Sequence, residues 1–175
     1  ANKIDCEPMS IRRRVLVFAA VYWPGYKAGG PIRTLRNQVA ALRDDFEFFI
    51  FTADRDRGDT ASYTSVPVNQ WVDVDGDKVF YADPANRRPS AVQRIVAAIS
   101  PNVVYINSFF DPVFGIRPIL LRRFAGMAKD ARWVLGTRGE FSPGALSLKR
   151  WKKWPFLAVA KWLRLHRGVI WQASS

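Results

Sequence analysis

Gly29, Gly30 and Pro31 make the stretch of this chain best suited to holding an anion. An apolar run precedes them. A helical pattern follows, with Ile32, Leu35, Val39 and Leu42 on one face and Arg33, Arg36, Asn37 and Arg43 turned away from it. Pro31 fits the first helical position, where its missing N–H costs nothing, and Gly30 stands just outside. Free amides and the positive end of the helix dipole at such a start favour a phosphate. The spacing is neither GxGxxG nor the GxxxxGK phosphate loop, so the alternative is a tight connection without a ligand. A second loaded block is KRWKKWPFLAVAKWLRLHR at 149–167, where Lys152, Lys153 and Lys161 alternate with Trp151, Trp154 and Trp162. One reading is a cationic amphipathic surface lying on anionic headgroups with tryptophans at the interface. Another is an ordinary helix that packs Trp and Leu on a sheet and leaves its cations in water. Nucleic acid would need bases stacked on exposed tryptophans, and no nucleic-acid signature accompanies the block. Pro155 is expected to divide it into two helices, with Gly168 as the residue after the last.

Composition narrows the classes. The 175 residues are half apolar and carry a net charge of +12, which points to phosphate-bearing partners. Cys6 and His166 are the only residues of their types, which removes an intrachain disulfide, Cys- or His-based metal clusters and an obvious catalytic triad. No signal peptide or bilayer-crossing run is visible, so the expected location is cytoplasmic, peripheral to the inner membrane face if the basic block docks there. Asp54, Asp56 and Asp59 resemble a calcium loop only superficially, because Arg55 and Arg57 interleave and no glutamate follows at the right offset. Residues 53–65 therefore read as a solvated, charged loop.

The elements that must position these residues alternate. Strands are expected at 15–21, 46–52, 102–107 and 131–136, and two short strands around the Asp75-Gly76-Asp77 turn. Helices are expected at 31–42, at 90–99 with Ser90 as N-cap, at 113–126, and from the Ser142-Pro143 start. This βαβ rhythm predicts an α/β, Rossmann-like, mostly parallel sheet with helices on both faces, and ligands at the strands' carboxyl ends. Residues 1–11 read as a tag or N-terminal extension, with Met9 a candidate start, and residues 12–175 as one domain.

Two stretches, YWPGYKAGGPIRTLRNQVAAL at 22–42 and TRGEFSPGALSLKRWKK at 137–153, resemble the N-terminal domain of GT-B fold glycosyltransferases of family 4, of the bacterial type that builds surface polysaccharides. The resemblance implies the acceptor-side half of a retaining enzyme that takes a nucleotide-diphosphate sugar as donor, with no further cofactor and no obligatory metal. The donor would sit mainly in a C-terminal domain that this sequence does not contain, so the chain alone is expected to be inactive. The partners implied are a saccharide or lipid-linked acceptor and the nucleotide sugar. By the same resemblance Gly29 and Gly30 face the donor pyrophosphate, while Arg33, Asn107, Ser108, Arg138 and Glu140 lie on the acceptor side. Many members carry a histidine where this chain has Asn107, which can hydrogen-bond a sugar hydroxyl but cannot titrate. The Arg138 fork suits a phosphate or carboxylate, unless it orders its loop through Glu140. Asp111 orients an acceptor hydroxyl or serves the turn before Pro112. The rival class is a noncatalytic basic module that binds an anionic membrane or nucleic acid.

Overall fold

The computed structural model of the chain describes residues 12–147 and 150–173; expectations for residues 1–11 and for the Lys152 side chain lie outside the described residues. Seven strands, β1 (Arg13–Phe18), β2 (Phe46–Ala53), β3 (Trp71–Val74), β4 (Asp77–Ala82), β5 (Val103–Ile106), β6 (Arg132–Gly136) and β7 (Val169–Gln172), form one sheet in the order β3-β4-β2-β1-β5-β6-β7. All neighbours are parallel except the β3–β4 hairpin. Its turn has positive φ at both Asp75 and Gly76, the primed geometry that matches the twist of paired strands. Leaving β3 aside, the sheet grows outward from β1 in both directions, which is the Rossmann-like arrangement.

The helices are α1 (Gly30–Leu42), α2 (Pro89–Ile99), α3 (Arg117–Ala125), α4 (Pro143–Ser147) and α5 (Arg150–Trp162). A wide turn at Pro112–Ile116 leads into α3. Alternate residues of β1 explain the two cores. Leu16 and Phe18 join Val92, Val96 and Ile99 of α2, Ile119 of α3 and Ala160 of α5. Val15 and Val17 join Leu35 and Val39 of α1 on the opposite face. Strands buried on both sides need continuous apolar sequence, and FEFFIFT supplies it.

Four local expectations are corrected. The first strand stops at Phe18 rather than Val21. Ser90 is not an N-cap: Pro89 takes the first turn, and Arg88 precedes it without a side-chain cap. Pro155 does not divide α5, which runs through it. Pro155 is exposed on the outer side of the helix, and Phe156, Leu157 and Ala160 beyond it pack on the core and hold the following turns in place. The fourth correction is the acidic loop. Asp54 and Asp56 are buried, not solvated. Asp54 accepts bonds from Arg55 at 2.8 and 2.9 Å, from Ser62 at 2.5 Å and from Arg87 at 3.3 Å, tying the loop after β2 to the one after β4. Asp56 accepts from the amides of Tyr26, Lys27 and Arg57 at 2.7–2.9 Å.

Burial alone would raise the Asp54 carboxyl, but its bonds from Arg55 and Ser62 outweigh that and hold it below the ordinary value of 3.8. A depressed folded value means the ion stabilises the fold above pH 3.8 and loses its effect as pH falls through the lower, folded value. Asp54→Asn is expected to cost about 3 kcal/mol at neutral pH, because it leaves two arginines without their buried partner. In urea unfolding followed against pH, the gap between the variant and the parent should close in the acid range.

Candidate functional site

Strand β1 pairs with β2 on one side and β5 on the other, so successive crossovers leave the sheet in opposite directions here. In open α/β sheets the crevice outside the carboxyl ends at such a point receives ligands. Three segments reach it: the loop from Ala19 to Gly30, Asn107–Asp111 after β5, and Thr137–Ser142 after β6. The Asn107 amide donates to Phe18 O at 3.0 Å, so this loop leaves the sheet directly beside β1.

The glycine turn is open but spends most of its donors internally. A Cβ built at Gly29 or Gly30 meets nothing within 4 Å, and Gly29 has φ +55°, a conformation that favours glycine. The Gly29 amide donates to Tyr26 O, and those of Ile32 and Arg33 converge on Gly29 O. Pro31 has none, and Asp56 occupies the amides of Tyr26 and Lys27. Gly30 is left as the one amide from 29 to 33 outside these bonds. The expected cradle of amides is reduced to a single donor and the helix dipole.

The stronger centre is Arg138. Its Nε donates to Asn107 Oδ1 at 2.5 Å, and its other nitrogen to Gln38 Oε1 on α1 at 3.2 Å. The Tyr105 hydroxyl lies within reach of both Gln38 and Arg138, and burial raises its pKa. A side chain at Gly136 would collide with that hydroxyl, so the strand needs glycine there. Arg138 and Gly139 both have positive φ, 47° and 73°. Such a backbone costs a non-glycine residue roughly 1–2 kcal/mol, so the Arg138 side-chain bonds hold it against strain. Among the described residues no carboxylate pairs with Arg138. The alternative of an ion pair with Glu140 is not what the structure shows: the bonds of the guanidinium go to the neutral side chains of Asn107 and Gln38.

Glu140 does different work. One oxygen accepts from Ser108 Oγ at 2.8 Å and the other from the Phe109 amide. Ser108 and Glu140 therefore lock the β5 loop to the β6 loop and are spent on each other. Asn107 uses its carbonyl on Arg138 and keeps two N–H donors, engaged by no bond among the described residues. Asp111 accepts from the amides of Val113 and Phe114 at 2.9 and 2.7 Å, which is the turn role. Arg33 does not join this group; it lines a separate cavity of about 350 Å³ with Tyr22, Arg36, Asp75 and Asp77. Sequence reasoning missed Gln38 and Tyr105. Gln38 is a polar residue in an apolar-faced helix, and Gly136 ending a strand is the trace of the Tyr105 contact.

The basic block divides. Lys153 is turned inward: its Nζ donates to Ala145 O at 2.6 Å and stands 4.7 Å from the Phe110 ring centre. Trp154, Lys161 and Trp162 are exposed. Among the described residues no cluster of His, Cys, Asp and Glu could hold a metal ion, and no helix is long and apolar enough to cross a membrane. No protein-family model, curated protein or solved structure matches the chain.

Glu140→Ala removes two bonds that join the loops. Loss of partners for Ser108 and the Phe109 amide should cost about 1–3 kcal/mol. Hydrogen exchange at Phe109 and Asp111 should accelerate in this variant while the β1 and β2 amides stay protected.

Proposed function

We propose that this domain is the acceptor-side half of a retaining glycosyltransferase that uses a nucleotide-diphosphate sugar, of the kind that builds cell-surface polysaccharide. The observation that carries the reading is Arg138, a strained arginine without a carboxylate partner at the crevice where the sheet reverses. A guanidinium held by Asn107 and Gln38 presents its remaining N–H groups in fixed directions, which suits two oxygens of a phosphate or carboxylate. The Asn107 amide adds donors for a sugar hydroxyl, and the Gly30 amide at the α1 start adds one for a second anionic group. Neither the Asn107 amide nor the Gly30 backbone amide is an acid or a base. The domain's part is to bind and orient, and to stabilise negative charge that develops on a leaving phosphate. The bond-making group and the main donor contacts belong to a second domain in this reading.

A titration followed by NMR tests it, with a uridine-diphosphate sugar and a phosphorylated saccharide as probes. Shifts are expected at Gly30, Asn107 and Arg138. Arg138→Leu should weaken binding of the phosphorylated probe roughly tenfold or more, since hydrogen bonds to charged groups are worth about 1.5–3 kcal/mol. Arg138→Lys should not restore it. No turnover is expected from this chain alone; robust glycosyl transfer by it would overturn the half-enzyme reading.

A further inference from the structure

The outward face of α5 carries what a soluble helix keeps inside. Phe156, Leu157 and Ala160 point to the core. On the other side Trp154, Ala158 and Trp162 follow one another at intervals of four, one stripe along the helix. Trp154 is 57% exposed and Trp162 80%, and Val159 beside them is 49% exposed. Pro155 is exposed in the same face. A helix apolar on both sides requires a second apolar medium beyond the protein core.

Charge says which medium. Residues after Arg87 include fifteen lysines and arginines against three acidic residues, so this half of the chain carries the whole net charge of +12. The first half is balanced, and every ion pair identified among the described residues lies within it, between positions 14 and 87. The unbalanced half builds β5, β6, β7 and the helices around them, α5 included. Lys161 sits on the flank of the tryptophan stripe. Beside it opens a cavity of about 450 Å³ with Phe109, Leu157 and Trp171 in its wall and Lys161, Arg164 and Arg167 among its lining. Apolar wall and cationic rim together match an amphiphile with an anionic head.

We propose that α5 docks this domain on the surface of an anionic lipid bilayer. Trp154 and Trp162 enter the headgroup layer, where indole rings prefer to sit, and Lys161, Arg164 and Arg167 meet the lipid phosphates. The cavity takes the end of an acyl chain drawn from that layer. The α5 start lies at the same sheet edge as Arg138, because α4 and α5 follow the β6 loop, so a lipid-anchored ligand held there is near the crevice.

The test is flotation of the chain with vesicles of phosphatidylcholine alone and with vesicles of which roughly a third is phosphatidylglycerol, whose negative surface attracts Lys and Arg. Binding is expected on the anionic vesicles, at least tenfold weaker on the neutral ones, and accompanied by a blue shift of tryptophan emission. The double variant Trp154→Ser/Trp162→Ser should lose at least tenfold in binding with an unchanged thermal midpoint, since both rings are exposed. Lys161→Glu/Arg164→Glu should lose a similar factor and should flatten the dependence on salt. Equal binding to both vesicle types, or no effect of either double variant, would overturn the proposal. So would preferential binding to a single-stranded oligonucleotide without flotation, or a dimer in solution that only the tryptophan variant dissociates. Vesicle docking and glycosyl transfer are read out separately, so either can fail while the other stands.

Discussion

Strand β1 has a parallel neighbour on each side, Val15–Phe18 lying against Phe48–Phe51 and against Val103–Ile106. The chain reaches the first neighbour through α1, packed on one face, and the second through a long path that ends with α2 on the other. A crossover of fixed hand places its helix on opposite faces when the sheet grows in opposite directions, so the two helices cannot both cover the edge above β1. What stays uncovered there is the crevice. Every residue assigned to the candidate site comes from α1, from β5 or from the loops that follow β5 and β6. The pairing on both sides of β1 therefore fixes where any ligand chemistry can happen, before side chains are considered.

Buried carboxylates then decide how much of that edge stays available. Asp56 satisfies the amides of Tyr26 and Lys27, and Asp54 gathers Arg55 and Arg87. Both sit where bare anions would be costly, and both are kept ionised by bonds that outweigh the burial. The β1 loop is thus held from within, and its amides are spent on its own order. The site passes to Arg138 on the far side of β5, whose partners Asn107 and Gln38 are neutral. A neutral partner orients a guanidinium without cancelling its charge. That difference separates Arg138 from the paired arginines at 14, 36, 43, 55 and 87.

Periodicity made the sheet legible. Strands buried on both faces leave unbroken apolar runs, and α1 and α2 show a 3.6-residue stripe, so the α/β class and most elements could be read from residue order. The crevice was legible too, as a class of loops at carboxyl ends. Partners across the sheet were not. Nothing local to Gln38 or Tyr105 says that Arg138, 100 residues from one of them, will stand over both. The acidic loop misled for a related reason: aspartates alternating with arginines look solvated when read along the chain, and only the fold shows that Asp54 is enclosed by Arg87 from the next loop. Pro155 misled because its local cost was read alone, whereas tertiary packing of Phe156, Leu157 and Ala160 carries the helix past it.

The α5 stripe shows why composition alone could not choose between packing and docking. The two faces of α5 answer to the two readings separately: Phe156, Leu157 and Ala160 pack, while Trp154 and Trp162 stay exposed, as the docking proposal needs. A single helix can do both only if its cations are pushed to the boundary between the faces or beyond the helix end. Lys161 stands at that boundary, Arg164 and Arg167 lie past the end, and Lys153 is drawn inward to Ala145 and Phe110. Among the described side chains of α5 and the turn after it, the cations stand at the margins of the outer face and border an apolar strip. Water is a poor partner for that pattern. A bilayer surface, apolar below its phosphates, has the inverse of it.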